Sequence, residues 1–146
     1  MTFNCIGLFC EDIREEVSGS HTIVGVMPDN ISVSGPPRKE DGQAIIVPKL
    51  GVYLRVKLEV AHKPVGSITA RLSFPGLPDF PLGEIGPETI AKAFEDTAAK
   101  NLPLVGMIFK AVISPLQLSK SGVASAFAKV EDREILAAIL NIQIVT

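Results

Sequence analysis

Four carboxylates crowd into the six positions Glu11-Asp12-Ile13-Arg14-Glu15-Glu16. Oxygen-rich clusters of this kind suit hard cations, since Ca²⁺ takes about six to eight oxygen ligands. Glu11, Asp12, Glu15 and Glu16 are therefore candidate metal ligands, with Asp29 from a later turn. Glu40, Asp41, Glu131 and Asp132 stand in other predicted loops that one end of a sandwich could bring together. The D-x-D-x-D-G spacing of a dedicated Ca²⁺ loop is absent. The plainer reading is a solvated turn braced by an Asp12–Arg14 or Arg14–Glu16 ion pair. His21 and His62 are the two histidines of the chain. A zinc site needs more nitrogen and sulfur ligands than two separated histidines and two cysteines supply. Composition permits a Ser–His–Asp triad, but there is no G-x-S-x-G elbow. Ser18-Gly19-Ser20-His21 reads as a polar turn entering a strand. No catalytic residue is assigned. The phosphate-cradling patterns G-x-G-x-x-G and G-x-x-x-x-G-K-[ST] are missing as well, so no cofactor is expected.

Cys5 and Cys10 are five positions apart. On one strand that separation is roughly 16 Å and puts them on opposite faces. A disulfide needs Cα atoms within about 7 Å. Both are expected to be reduced, buried, small apolar groups.

The elements that must carry these residues announce themselves by period. Val52, Leu54, Val56, Leu58 and Val60 alternate with Tyr53, Arg55, Lys57 and Glu59. A strict period of two marks a strand with one dry and one wet face. Ile68, Ala70, Leu72 and Phe74 repeat it against Ser67, Thr69, Arg71 and Ser73. Phe3 to Cys10 is apolar on both faces, as a central strand is, and Glu11 to Ser20 then reads as a polar turn region. His21 to Met27 is a second strand, closed by Pro28-Asp29-Asn30. Ile31 to Val33 continues beyond that turn. The segment from Gly35 to Gly42 is an exposed loop, and Ala44 to Val47 is strand material interrupted at Pro48.

Pro75 to Gly86 holds three prolines and three glycines and reads as an irregular crossing. Pro87 then suits a first helical position, with Glu88 on the favourable side of the dipole. Ile90, Ala93, Phe94, Thr97 and Ala98 recur at helical spacing, and Asn101 with Pro103 ends the helix. Leu104 to Ile113 favours strand, with helix as the alternative. Val123 to Val130 and Ile135 to Val145 form a closing hairpin around Glu131-Asp132-Arg133. Its last strand has Leu136, Ala138, Leu140, Ile142 and Ile144 as the drier face. Val47 to Val52 echoes Leu118 to Val123, as equivalent corners of a sandwich would.

Together these elements make an all-β chain with one helix, an antiparallel β-sandwich of about eight strands forming a single domain over residues 1–146. Short hairpins and regular turn signals favour this over a parallel sheet, which needs more crossover helices.

The run Cys10-Glu11-Asp12-Ile13-Arg14-Glu15-Glu16, then Ser18-Gly19, then Thr22-Ile23-Val24-Gly25-Val26, resembles the opening of a bacterial family catalogued only as a domain of unknown function. Members open with a strand and a C-[DE]-D-x-R-x-E turn, followed by a T-x-x-G-V strand. Gly51-Val52-Tyr53 also looks similar. The resemblance covers residues 5–33 best, and segment 79–113 has no place in it. It implies an all-β fold and a bacterial origin but no activity.

Hydrophobic residues make up 47% of the chain and charged residues 21%. That excess suggests apolar surface covered by a partner. The net charge is −2, with no Trp, one Tyr and no basic stripe, which speaks against nucleic acid. No uncharged run reaches the roughly 18 residues of a membrane span. No signal peptide is recognised, so a cytoplasmic location is expected. The leading expectation is a non-enzymatic binding or structural module acting through protein–protein contacts, as a homo-oligomer, most simply a dimer, or with another protein. A Ca²⁺- or small-ligand-binding sandwich using the acidic loops is the alternative, and an enzyme of unknown type comes third.

Overall fold

The structure, a computed structural model, describes residues 3–34 and 45–145. The predicted loop from Gly35 to Gly42, with Glu40 and Asp41, and the Ala44 start of the next strand lie outside the described residues.

The strict alternation in the middle of the chain forms β5 (Leu50–Glu59). Leu50, Val52, Leu54, Val56 and Leu58 are all at most 2% exposed. Fully burying one such side chain stabilises by about 1.5–3 kcal/mol, so this row anchors the sheet. On one side β5 pairs antiparallel with β1 (Phe3–Glu15), and on the other with β8 (Leu104–Ile113). β2 (His21–Val26) completes a four-stranded sheet in the order β2-β1-β5-β8. β1 is central, as its two apolar faces require.

The second sheet has the order β3-β11-β10-β6-β7. It contains β3 (Asn30–Ser34), β6 (Ile68–Ser73), β7 (Phe80–Ile85), β10 (Gly122–Val130) and β11 (Arg133–Val145). β10 and β11 form the predicted closing hairpin, while β3 runs parallel to β11. A two-stranded ribbon joins β4 (Ile45–Val47) to β9 (Leu116–Leu118). Ile45 faces Leu118 and Val47 faces Leu116; the echoing segments begin at the last residues of these two strands, Val47 and Leu118, and lead into β5 and β10. The all-β sandwich with one helix stands, with eleven strands among the described residues rather than about eight.

Three differences have plain causes. The acidic segment Glu11 to Glu15 is strand, not turn. β2 supplies a full antiparallel partner to it, from Cys10 opposite Val26 to Glu15 opposite His21, so its charges project from a paired backbone. The turn proper is Glu16 to Ser20, closed by Glu16 N–H to Ser20 O at 2.9 Å, with Gly19 at φ +90°. β7 lies within the expected irregular crossing: Pro81 breaks the strand pattern there, yet a proline is tolerated on an edge strand, and β7 is an edge. In β11 a register shift opposite Ala126/Phe127 changes the phase of the strand. Leu136 therefore turns outward and is 52% exposed, while Leu140 and Ile142 stay buried.

The helix α1 (Pro87–Ala99) bridges edge strand β7 to edge strand β8 and buries Ile90 and Phe94 in the core between the sheets. Asn101 ends it in the left-handed region at φ +56°, which Asn tolerates.

Candidate functional site: the outer sheet faces

The carboxylates that sequence singled out do not converge. The Glu11 side chain lies over Gly25, whose φ of +66° and missing Cβ make room for it. Asp12 pairs with Lys49 at 3.4 Å, and its Oδ1 also accepts the Ile13 N–H. Glu15 pairs with Lys110, and Glu16 accepts from the Thr22 hydroxyl at 2.7 Å. Asp29 contributes its backbone carbonyl to the Asn141 N–H at 2.8 Å. The expected Asp12–Arg14 and Arg14–Glu16 pairs are not formed; Lys49 and Lys110, distant in sequence, take the acids instead. Among the described residues no three His, Cys, Asp or Glu side chains gather as a metal site.

The histidines are apart. His21 meets Tyr53 edge-on, ring centres 5.8 Å apart. His62 Nδ1 lies 2.9 Å from Glu59 Oε2 on the surface. Ser18 and Ser20 hydrogen-bond each other through their hydroxyls at 2.6 Å rather than engaging His21.

Cys5 and Cys10 are both unpaired and buried, on opposite faces of β1. Cys5 belongs to the core between the sheets. Cys10 is 0% exposed yet outside that core, its sulfur filling the space above Gly51. Burial pushes the Cys5 thiol up to about 11 and raises Cys10 as well. Neutral thiols are poor nucleophiles.

Several exposed apolar side chains lie on the outer faces of the two sheets. Cross-strand partners share a face. On the four-stranded sheet, Ile6, Arg55 and Ile108 form one row, and Leu8, Tyr53 and Lys110 the next. Ile6 is 62% exposed and Ile108 38%. Ile6, Leu8, Tyr53, Arg55, Lys57 and Asn4 line a groove of about 240 Å³.

The outer face of the five-stranded sheet is built differently. Val123, Leu136 and Ile139 are 49%, 52% and 44% exposed. Ser125 stands opposite Ile139, and Val123 opposite Asn141. The neighbouring outward positions are Asn30, Ser32 and Gln143. Charge appears at one end, where one guanidinium holds two carboxylates. Arg71 grips Glu134 with two nitrogens, at 3.0 and 2.7 Å, and Asp79 with a third, at 2.8 Å. Its guanidinium lies 4.0 Å from the centre of the Phe127 ring. The Arg71 hydrogen bonds hold the Glu134 carboxyl below its ordinary range. The alternation marked Arg71 only as an outward residue of its strand. Glu134 is 63 positions away, and no local pattern could connect them.

Among the described residues no helix is long and apolar enough to cross a membrane. No family model matches the chain, and no curated protein matches it.

Proposed function

We propose that this protein is a non-enzymatic contact module that works as a symmetric dimer, its two copies stacked through the outer face of the five-stranded sheet. The observation that carries the reading is the uncharged apolar cluster of Val123, Leu136 and Ile139, bordered by Ser, Asn and Gln side chains. A symmetric interface sets each patch against its own copy. That requires a patch which does not repel itself: the patch is uncharged, and the charges of this face stand at one end, where Arg71 is held by Glu134 and Asp79. Exposed apolar strands left uncovered are an aggregation hazard, and a second copy removes it. Two buried, unpaired thiols suit a reducing compartment, and the proposal places the module in the cytoplasm.

Sedimentation equilibrium at micromolar concentration tests this. The expected species has twice the chain mass of 15.6 kDa. Leu136→Lys, at a half-exposed position, should give the 15.6 kDa species with an unchanged circular dichroism spectrum. A wild-type chain that sediments as a monomer refutes the dimer.

A further inference from the structure

We propose that the groove on the outer face of the four-stranded sheet is a docking site for an acidic, apolar segment of a partner protein. The inference rests on the contact-module reading but concerns the opposite face from the dimer. Its basis is charge. Of the cations on and around this face, Lys110 is held by Glu15 and Lys49 by Asp12. Glu59, two positions beyond Lys57, is engaged by His62. Arg55 and Lys57 have no ion-pair partner among the described residues. They stand on the same face of β5, about 7 Å apart along the strand, and both border the groove whose walls are Ile6, Leu8 and Tyr53.

An occupant must therefore offer carboxylates beside an apolar side chain. An extended segment with acids at positions i and i+2 repeats the roughly 7 Å spacing of Arg55 and Lys57. The Arg55 guanidinium, which is exposed, presents a planar fork that suits a carboxylate. One aliphatic or aromatic side chain of the segment then fills the groove, with Ile108 extending the apolar surface beyond Arg55.

Other occupants fit less well. A second copy docking here symmetrically would set Arg55 and Lys57 against their own images. A buried small molecule wants about 300–1,000 Å³ of enclosure, and this groove offers about 240 Å³. Anionic membranes attract basic clusters of roughly four to eight Lys and Arg, whereas two are unpaired here, beside a concave surface.

The test is selection from a random dodecapeptide phage library on the immobilised chain, run in parallel on the Arg55→Glu/Lys57→Glu double variant. The variant's melting curve must match the wild type. Single substitutions Arg55→Gln and Lys57→Gln replace it if it does not. Wild-type protein should enrich sequences with Asp or Glu two positions apart beside a large apolar residue. An enriched peptide should bind by fluorescence anisotropy, and charge reversal should weaken it by roughly tenfold or more. The Leu136→Lys variant should select the same sequences, because its change is on the other sheet. If the wild type sediments as a monomer yet selects acidic peptides, the dimer falls and this site stands. Enrichment of non-acidic sequences, or the same enrichment on the charge-reversed variant, overturns the proposal. So does binding to vesicles containing phosphatidylserine with no acidic peptide selected.

Discussion

Replacing Gly7 by Ala should destabilise the protein, although alanine is ordinarily the better residue in a strand. The Gly7 Cα faces the second sheet. A methyl there would lie 2.3 Å from Leu54 Cδ2, 3.3 Å from the Ala138 Cβ and 3.3 Å from the Tyr53 carbonyl oxygen. Carbon atoms in contact prefer about 3.5–4.0 Å, so Leu54 must move by more than an ångström. It has nowhere free to go, being 0% exposed in the core. Overpacking of this kind costs about 1–3 kcal/mol. Removing glycine's unfolded-state freedom returns about 0.5–1 kcal/mol. The net expectation is a loss of about 1–2 kcal/mol, read from urea unfolding followed by far-ultraviolet circular dichroism. Leu54→Ala alone should cost about 2–5 kcal/mol. In the double variant the new methyl occupies part of the vacated space, so the combined loss should fall short of the sum by about 1 kcal/mol. Strict additivity, or a Gly7→Ala variant as stable as the wild type, would refute the close packing of Leu54 against Gly7 on which this reasoning depends.

Glu134 gives a pH signature. Its folded carboxyl titrates below the ordinary value of 4.5, so the stability it contributes is complete above that value and fades as the pH falls beneath it. Glu134→Gln should cost at most about 1 kcal/mol at neutral pH and lose less than the wild type on acidification from about pH 5 to pH 3; parallel stability curves would contradict this. Leu58→Asp and Leu72→Asp should prevent folding, since each strands a carboxylate in the core at a cost of several kcal/mol. Arg71→Asp should be more damaging than Lys57→Asp, because it adds a carboxylate beside Glu134 and Asp79 and uncovers Phe127; equal urea midpoints would count against the clamp. Thiol titration without reductant should find two free thiols in denaturant and almost none reacting in the native protein at pH 8, and rapid native labelling would mean that Cys5 or Cys10 is not sealed.

The sequence by itself determined the strands whose partners lie on a uniformly dry side. Five apolar residues at a period of two in β5 can only bury together, and the same holds for Ile68, Ala70 and Leu72 in β6. The helix was legible because its start and stop are local chemistry: Pro87 at the first position, Glu88 beside it, Asn101 after its end. The separation of Cys5 from Cys10 across β1 followed from the same period. Tertiary structure decided whatever depends on a partner distant in the chain. Glu11 to Glu15 became strand because β2 pairs with it, not because its residues prefer that state. β7 exists because an edge leaves one side unpaired and so accepts Pro81. The bulge opposite Ala126/Phe127 turned Leu136 from an expected core residue into an exposed one, and a one-residue change of phase exchanges the two faces of a strand. The acids went to Lys49 and Lys110 rather than to Arg14, and Arg71 found Glu134 across 63 positions. Local pattern carries no record of such pairings; they follow from strand order, which is set only when both sheets close over one core.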